Sequence, residues 1–422
     1  MQSVLRALDE QLGPRLGGGS VVLALSGGLD SMVLLKGLAL WRQQHQRFPL
    51  KAVHVHHGLS ANADSWAEHC QQQCDQVKVP LSVVRLSLNK GPRQSLEALA
   101  REARYRVLES AMQPGDLLLT AHHLDDQAET FLLAARRGAG LEGLCAMPVA
   151  RPFGPGTLLR PLLQLSRQQL EVAAEGLDWV EDESNLDTRF DRNFLRQELL
   201  PKAEARLAGF SQGLARSASL LQQQLPAQTW LIEQALERYV SSDGSLNINA
   251  VPADVAPLLI KAWAQHLAVK VSHNLLAEML AQQSAASDAL VRVGPFGRFQ
   301  GRWYWVPDTL SWQRPVINWQ RGGGVSVPAG SDWHCNLPGS KRFHPSDRNK
   351  ARTLKKLWQE WGIPPWLRAT WPVLVSPDGD IIAVAGLALS KDHVSEAGLM
   401  PVWQAPPVYQ PFLRQPRPAS LA

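Results

Sequence analysis

Val21-Val22-Leu23-Ala24-Leu25-Ser26-Gly27-Gly28-Leu29-Asp30-Ser31-Met32 decides the fold. The five leading apolar residues read as a buried strand, Ser26 to Gly28 as a tight turn, and the stretch from Met32 to Leu40 as a helix. Gly27 and Gly28 can adopt positive φ, and without Cβ atoms they let backbone N–H groups close on an anion at the helix start. Ser26 and Ser31 add hydroxyl donors. Asp30 would repel a phosphate that was its only partner, but it makes sense beside a divalent cation bridging phosphate oxygens. Together these residues point to a nucleotide with magnesium. The sequence contains neither GxxxxGKS/T nor a GxGxxG after a strand, which excludes a kinase-type P-loop and a dinucleotide fingerprint. The competing reading is a plain strand-to-helix turn with a Ser or Asp cap. Position argues against it, because ligands of open parallel sheets sit at the carboxyl ends of strands.

Outward from this turn, apolar strands at Val21–Leu25, Ala52–Val55, Leu81–Leu86 and Leu117–Thr120 alternate with helical patterns around 32–42, 62–78, 94–112 and 125–137. Such alternation predicts an α/β domain with a parallel sheet wrapped by helices. From Leu199-Leu200-Pro201 to Ala285 the chain turns helical and rich in Gln, Ala and Leu. The segment from Val291 to Trp319 predicts a strand pair, and Gly322-Gly323-Gly324 a linker to a smaller mixed α/β region. The expected domains are 1–212, 213–320 and 321–422.

With 422 residues and 45% hydrophobic content, the chain is long enough for several cores. Met1 to Leu16 mixes Arg6, Asp9, Glu10 and Arg15, the pattern of a surface helix and not of a signal peptide. No run reaches the roughly 18 apolar residues of a membrane span, so no membrane association is expected. Cys70, Cys74, Cys145 and Cys335 form no CxxC, which fits a reducing cytoplasm, and the first two read as packing residues. The net charge is +5, yet Lys341 to Arg368 holds eight Lys or Arg against Asp347 and Glu360. Ten of the 15 Trp lie beyond residue 300, so the C-terminal third combines cationic and aromatic side chains as nucleic-acid surfaces do. The core is the competing destination for those rings. A homodimer is compatible with the sequence, which does not determine oligomeric state.

His54-Val55-His56-His57-Gly58-Leu59 follows the second strand. Its histidines have no Cys or Asp nearby to complete a tetrahedral zinc set, so they read as the edge of a nucleotide pocket with His56 facing it. Glu97, Arg101 and Arg104 share a helix face, either an ion-paired surface or a phosphate contact. After the fourth strand comes Thr120-Ala121-His122-His123-Leu124-Asp125-Asp126-Gln127-Ala128-Glu129-Thr130. Asp126 and Glu129, three apart at a helix start, project to one side. One acid there would complement the helix dipole, whereas several acids beside an ATP site favour a magnesium ion or an amine substrate. Arg192 and Arg196, four apart near Asn193, suit a phosphate or a base, with a structural salt bridge as competitor.

SGGLDS after a strand resembles the pyrophosphate-loop ATPases, which cleave ATP between the α- and β-phosphates. SGGLDS, HVHHGL, E-x-x-A-R-x-x-R-Y, HHLDDQAET, RRGAG-x-x-G-L and EDESN through RNFLR, in this order, resemble the bacterial tRNA(Ile)-lysidine synthetase family over nearly the whole chain. Thr353 to Leu357 with Gly362 to Arg368, ending in Ile381–Ala385, resembles that family's tRNA-binding C-terminal domain. Glu183 where the family often has Pro, and Trp358 and Trp361, depart from its pattern.

The resemblance implies a Rossmann-like parallel sheet, a helical middle domain and a small mixed α/β C-terminal domain. It also implies that ATP adenylates the C2 oxygen of the wobble cytidine in the CAU anticodon of tRNA(Ile), releasing pyrophosphate. The ε-amine of L-lysine then displaces AMP to give lysidine, which switches reading from AUG to AUA and identity from methionine to isoleucine. Ser26, Gly27, Gly28, Leu29, Asp30, Ser31 and His56 would bind ATP, and Asp30 with Asp125 would hold Mg2+. Asp126 and Glu129 would hold lysine, making Asp30, Asp125, Asp126 and Glu129 the catalytic set. Arg101, Arg104, Arg192, Asn193, Arg196, Lys355, Lys356 and Arg368 would contact tRNA. Three alternatives have less support in the residues: a thiolase would need a cysteine in the chemical motifs, a non-catalytic module would not need the acids, and a small-acid ligase would not need the cationic tail.

Overall fold

The computed structural model describes residues 1–45, 48–58, 60, 62–86, 96–284, 290–307 and 310–414. The chain divides into two compact units, Met1–Gln228 and Thr229–Ala422. In the first, α1 (Gln2–Gln11), β1 (Val21–Ala24), α2 (Leu29–Gln44), β2 (Leu50–His56), α3 (Ala63–Gln76), β3 (Leu81–Arg85), α4 (Leu96–Ser110) and β4 (Leu117–Leu119) follow in order. Then come α5 (Leu124–Arg136), α6 (Leu141–Leu144), β5 (Ala150–Phe153), β6 (Gly156–Leu159), α7 (Arg167–Ala173) and α8 (Asp191–Phe194). A π-helical turn (Leu195–Leu199) joins α8 to α9 (Leu200–Arg206), and α10 (Phe210–Tyr239) straddles the division between the units.

The strands form one sheet in the order β3-β2-β1-β4-β6-β5, parallel except for the last pair. The alternating anatomy predicted from sequence is present, and the hairpin β5–β6 adds two strands that the sequence reading passed over. Side chains alternate across the sheet as its pleat requires. Val21 and Leu23 enter a core with α1 and α2, while Val22 joins Val53, Leu108 and Leu118 in a core on the opposite face. Both faces are covered, which is why these strands are apolar runs and not alternating ones. α1 buries Val4, Ala7 and Leu8 against α2, giving the expected surface helix an apolar seam.

Because β1 pairs with β2 on one side and β4 on the other, the chain reverses its winding direction at β1. The loops leaving β1 and β4 therefore flank one crevice at the carboxyl edge, the topological switch point where open α/β sheets bind ligands.

The second unit has two cores. The first is formed by the end of α10, α11 (Ala256–His266), α12 (His273–Ala281) and the antiparallel strands β7 (Val291–Val293), β8 (Phe296–Phe299) and β9 (Arg302–Trp305). β10 (Ile317–Val325), β11 (Asp332–His334), β12 (Arg342–Phe343), β13 (Arg352–Thr353), α13 (Leu354–Glu360) and α14 (Pro365–Arg368) continue the chain. They are followed by β14 (Val373–Val375), β15 (Ile381–Val384), β16 (Ala388–Leu389), β17 (Val394–Ser395) and β18 (Leu399–Trp403). Most of these later elements surround the second core.

One sequence expectation fails here, and one open alternative is decided. Gly322 to Gly324 are not a linker but lie inside β10, which pairs with β17 and β18 and shifts register between Arg321 and Val325. A Cβ on Gly324 would fall 2.3 Å from the Leu399 backbone, so glycine is what lets these strands approach at the bulge. The Trp-rich tail is also largely core: Trp303, Trp333, Trp358, Trp361, Trp371 and Trp403 are buried, whereas Trp305, Trp312 and Trp319 stay exposed.

Trp371 is fully buried among Trp358, Trp403 and Tyr409, and its Nε1 donates to the Ala385 carbonyl at 2.9 Å. Trp371→Ala removes the ring and strands that carbonyl, so denaturant unfolding followed by tryptophan fluorescence should report a loss of about 3–5 kcal/mol in the second unit.

Candidate active site

The loop from β1 to α2 is held from below. Gly27 has φ +92°, and a Cβ there would meet Val180 Cγ2 at 2.8 Å and Cys70 Sγ at 3.1 Å. The Gly27 carbonyl accepts from Val180 N at 3.0 Å. Gly28 does not use that freedom: at φ −75° it is the extended N-cap of α2 and brings no side-chain cap to the helix start. Ser26 Oγ donates to Ser31 Oγ at 3.0 Å, and Ser31 Oγ donates to the Gly28 carbonyl at 2.9 Å while accepting from Gly27 N at 3.1 Å. The two hydroxyls therefore shape the loop before any ligand arrives. An uncapped helix start with glycines at its mouth suits a phosphate.

Asp30, in the first turn of α2, accepts from Arg167 Nη1 at 2.7 Å, and its other oxygen lies 3.7 Å from His123 Nε2. Burial raises its pKa above the ordinary carboxylate value even though His123 and Arg167 pull the other way. Arg167 also donates its backbone N–H to Asp125 Oδ2 at 2.8 Å, so one residue ties both carboxylates together. Sequence reasoning missed Arg167. Its signal was Ser166-Arg167-Gln168-Gln169, a capping box that the structure shows intact at the start of α7.

His123 sits between Asp30, Asp125 and Asp126, with its ring 3.4 Å from Asp125 and 3.5 Å from Asp126. Burial opposes its charge, but the carboxylates outweigh burial and raise its pKa. Asp126 Oδ2 accepts from the His123 backbone N–H at 3.0 Å, fixing the first turn of α5.

Asp126 and Glu129 are buried, and Arg192 and Arg196 close over them. Arg192 donates through Nε to Glu129 at 2.6 Å and through Nη2 to Asp126 at 2.8 Å, and Arg196 makes the same two contacts at the same lengths. Burial works against ionisation of Asp126, yet His123 and the arginines hold it far below the ordinary range. The acids raise the pKa of both arginines against the same penalty. In the sequence reading the acid pair and the arginine pair had separate jobs, and the structure brings them together as one four-membered ion cluster. Asn193 donates to the Asp187 carbonyl at 3.0 Å and so braces the preceding loop.

Among the histidines, His54 donates from Nδ1 to the Leu25 carbonyl at 2.9 Å. His56 lies 3.2 Å from Asp64, which also binds Arg85 at 2.6 Å. His57 has a buried Nδ1 with no hydrogen-bond partner among the described residues, and burial with Arg104 nearby lowers its pKa. Arg101 and Arg104 both lie over the Tyr105 ring, at 5.2 and 5.6 Å. The side chain of Glu97, and all of Leu59, lie outside the described residues. In the second unit Lys355 and Lys356 are exposed, while Arg368 donates to the Ile363 carbonyl at 2.8 Å and packs over Phe299.

The PP-loop domain family matches residues 2–203, and the TilS substrate C-terminal domain family matches residues 335–402. The tRNA(Ile)-lysidine synthase of Vibrio parahaemolyticus is 39% identical over 92% of this chain and 95% of its own length. The chain belongs to the tRNA(Ile)-lysidine synthase family. The family's protein from Enterobacter sp. is also 39% identical, over 91% of this chain and 96% of its own, and that from Shigella flexneri is 38% identical over the same shares. Among solved structures, a U34-tRNA thiolase from Methanococcus maripaludis aligns with a TM-score of 0.45 at 18% identity, covering 52% of this chain and 78% of its own. Membership of a PP-loop ATPase family implies that the chain uses ATP.

Two outcomes test this geometry. Gly27→Ala, strained by its φ and by the clash with Val180, should weaken ATP binding about tenfold or more in calorimetry while the first unit stays folded. His122, bonded to Thr120 Oγ1 at 2.9 Å, has its pKa pushed down from 6.5 to about 3 by burial. Between those values the unfolded chain binds a proton that the folded chain refuses, so stability falls as pH drops through that window. Against His122→Asn, the native protein should lose up to about 1.4 kcal/mol per pH unit over this range in pH-dependent unfolding.

Proposed function

We propose that this chain joins L-lysine to C2 of the wobble cytidine in the CAU anticodon of tRNA(Ile), using ATP and forming lysidine. The buried pair Asp126 and Glu129, one strand away from the phosphate loop, carries this reading. The two carboxylates are buried and already hold two cationic groups, the guanidiniums of Arg192 and Arg196, and the lysine ammonium is a substrate group that can exchange onto the same oxygens. The C2 carbonyl oxygen is a poor leaving group, so it is first adenylated: the oxygen attacks the α-phosphate and pyrophosphate departs. The ε-amine then attacks C2, the C2–N bond forms, the C2–O bond breaks, and AMP leaves with the oxygen.

Ser26 to Ser31 bind the phosphates in this scheme, with His56 at the rim of the pocket. Asp30 and Asp125 offer the hard oxygen donors that Mg2+ takes, and the ion would have to displace the Arg167 guanidinium from Asp30; among the described residues no three acids or histidines are grouped as a metal site. The ion supplies charge neutralisation on the phosphates when bound. In this scheme the segment of Arg192, Asn193 and Arg196 contacts the anticodon region once RNA is bound, Arg101 and Arg104 steady backbone phosphates, and Lys355, Lys356 and Arg368 serve the tRNA-body contact of the second unit. The domains follow the division 1–212, 213–320 and 321–422. The reaction belongs in the cytoplasm, where ATP, tRNA and reduced thiols coincide. No helix among the described residues is long and apolar enough to cross a membrane.

A sulfur-transfer reading lacks its nucleophile at this crevice. Cys70, the thiol packed beneath the loop, is buried and pushed up to about 12, so it stays protonated.

Incubation with ATP, magnesium, labelled lysine and a CAU-bearing tRNA(Ile) transcript, followed by nucleoside mass spectrometry, should yield lysidine at the wobble position. Pyrophosphate release without lysine incorporation would keep adenylation and sink the nucleophile assignment. Glu129→Gln should raise the lysine concentration needed for half-maximal rate about tenfold or more with ATP binding spared. An unchanged lysine dependence would remove Glu129 from that role.

A further inference from the structure

We propose that Phe190 and Phe194 form an aromatic shelf on which bases of the anticodon loop stack next to the target cytidine. The inference rests on the tRNA reading above and adds residues to it. The two rings are one helical turn apart, with Phe194 N donating to the Phe190 carbonyl at 3.0 Å, so they share a face of the helix that begins with α8. Phe190 is 48% exposed and Phe194 45%, and Leu186 just before them is 74% exposed.

This exposure is built in. Arg192 and Arg196 commit the other side of the same helix to Asp126 and Glu129, and Leu195 is buried. Asp191 pairs with Arg136 at 2.7 Å, and Asn193 and Arg189 tie down the loop at Asp187. Turning the rings inward would pull both guanidinium groups off buried carboxylates, a penalty larger than the apolar area regained. The π-helical turn that follows α8 is a departure from regular geometry of the kind found at functional sites.

The occupant follows from chemistry and position. Two flat apolar rings with no hydrogen-bonding edge take any base by its face, and single-stranded loops present splayed bases for such stacking. Arg189, next to Phe190 in the chain with an 89% exposed side chain, and Arg136 are paired with Asp187 and Asp191 at 2.7 Å, exposed pairs that can exchange a carboxylate for an RNA backbone phosphate. The reaction needs one base delivered to the crevice while its neighbours stay outside, and the shelf lies on the helix that closes that crevice.

The test uses the full-length enzyme and a tRNA(Ile) transcript with 2-aminopurine in place of the anticodon adenine beside the wobble cytidine. Binding of the wild-type protein should quench its fluorescence. Phe190→Leu and Phe194→Leu should lose the quench and raise KM for tRNA about 10- to 100-fold, with unchanged thermal midpoint and ATP affinity. Phe190→Tyr and Phe194→Tyr should restore both. Leucine variants that quench and turn over like wild type overturn the proposal, as does an equal loss in the leucine and tyrosine variants. A fall in sedimentation coefficient in the leucine variants without loss of quench would assign the rings to contact between copies and also overturn it. If the wild type makes no lysidine on this transcript, the substrate reading fails and takes the shelf with it. Normal lysidine formation with indifferent leucine variants removes the shelf alone.

Discussion

Parallel pairing of β1 with β4, Val21 opposite Leu117 and Leu23 opposite Leu119, is the constraint on which the catalytic geometry hangs. With β2 and β3 on one side and β4 and β6 on the other, the loops leaving β1 and β4 cannot be covered by a crossover and must open side by side. One loop brings Gly27 and Asp30, and the other brings His122, His123 and the first turn of α5. Residues about a hundred positions apart in sequence become neighbours because two short strands share a ladder of hydrogen bonds.

Charge in that crevice is the second constraint. Asp30, Asp125, Asp126 and Glu129 crowd into a region where desolvation penalises every ionised group, so each has found a cation: Arg167, His123, Arg192 or Arg196. A carboxylate with no partner in such a place is strongly destabilising, so the arginines of α8 and the π-helical turn are as much part of the site as the acids. They make the crevice electrically tolerable and at the same time orient their helix, which is how its aromatic face ends up outward.

Much of this site was legible from local chemistry. The glycine turn after an apolar run, the acids of the α5 start and the paired arginines all announce themselves by residue type and spacing. Which of the two adjacent glycines is required was not legible, because they look alike in sequence, while only Gly27 has Val180 and Cys70 pressed against the place where a Cβ would sit. Arg167 was overlooked because its value lies in reaching across to Asp30, a residue 137 positions away. His57 escaped notice for a related reason: burial and neighbours from other elements, not the HVHHGL pattern, separate its Nδ1, without a partner among the described residues, from the engaged rings of His54 and His56.

The sequence by itself determined the period of each element, the alternation that makes a parallel sheet, the phosphate loop and the membership of a tRNA-modifying ATPase family. These are short-range properties: apolar periodicity, backbone freedom at glycine and side-chain chemistry within one turn. Only the tertiary structure decided that the acids and the arginines form one cluster, that the glycines of β10 are a strand contact and not a linker, and that most C-terminal tryptophans are core while two phenylalanines are not. Those outcomes depend on which strands pair and which charges must be desolvated together, and such long-range energies are not written in any local stretch of the chain.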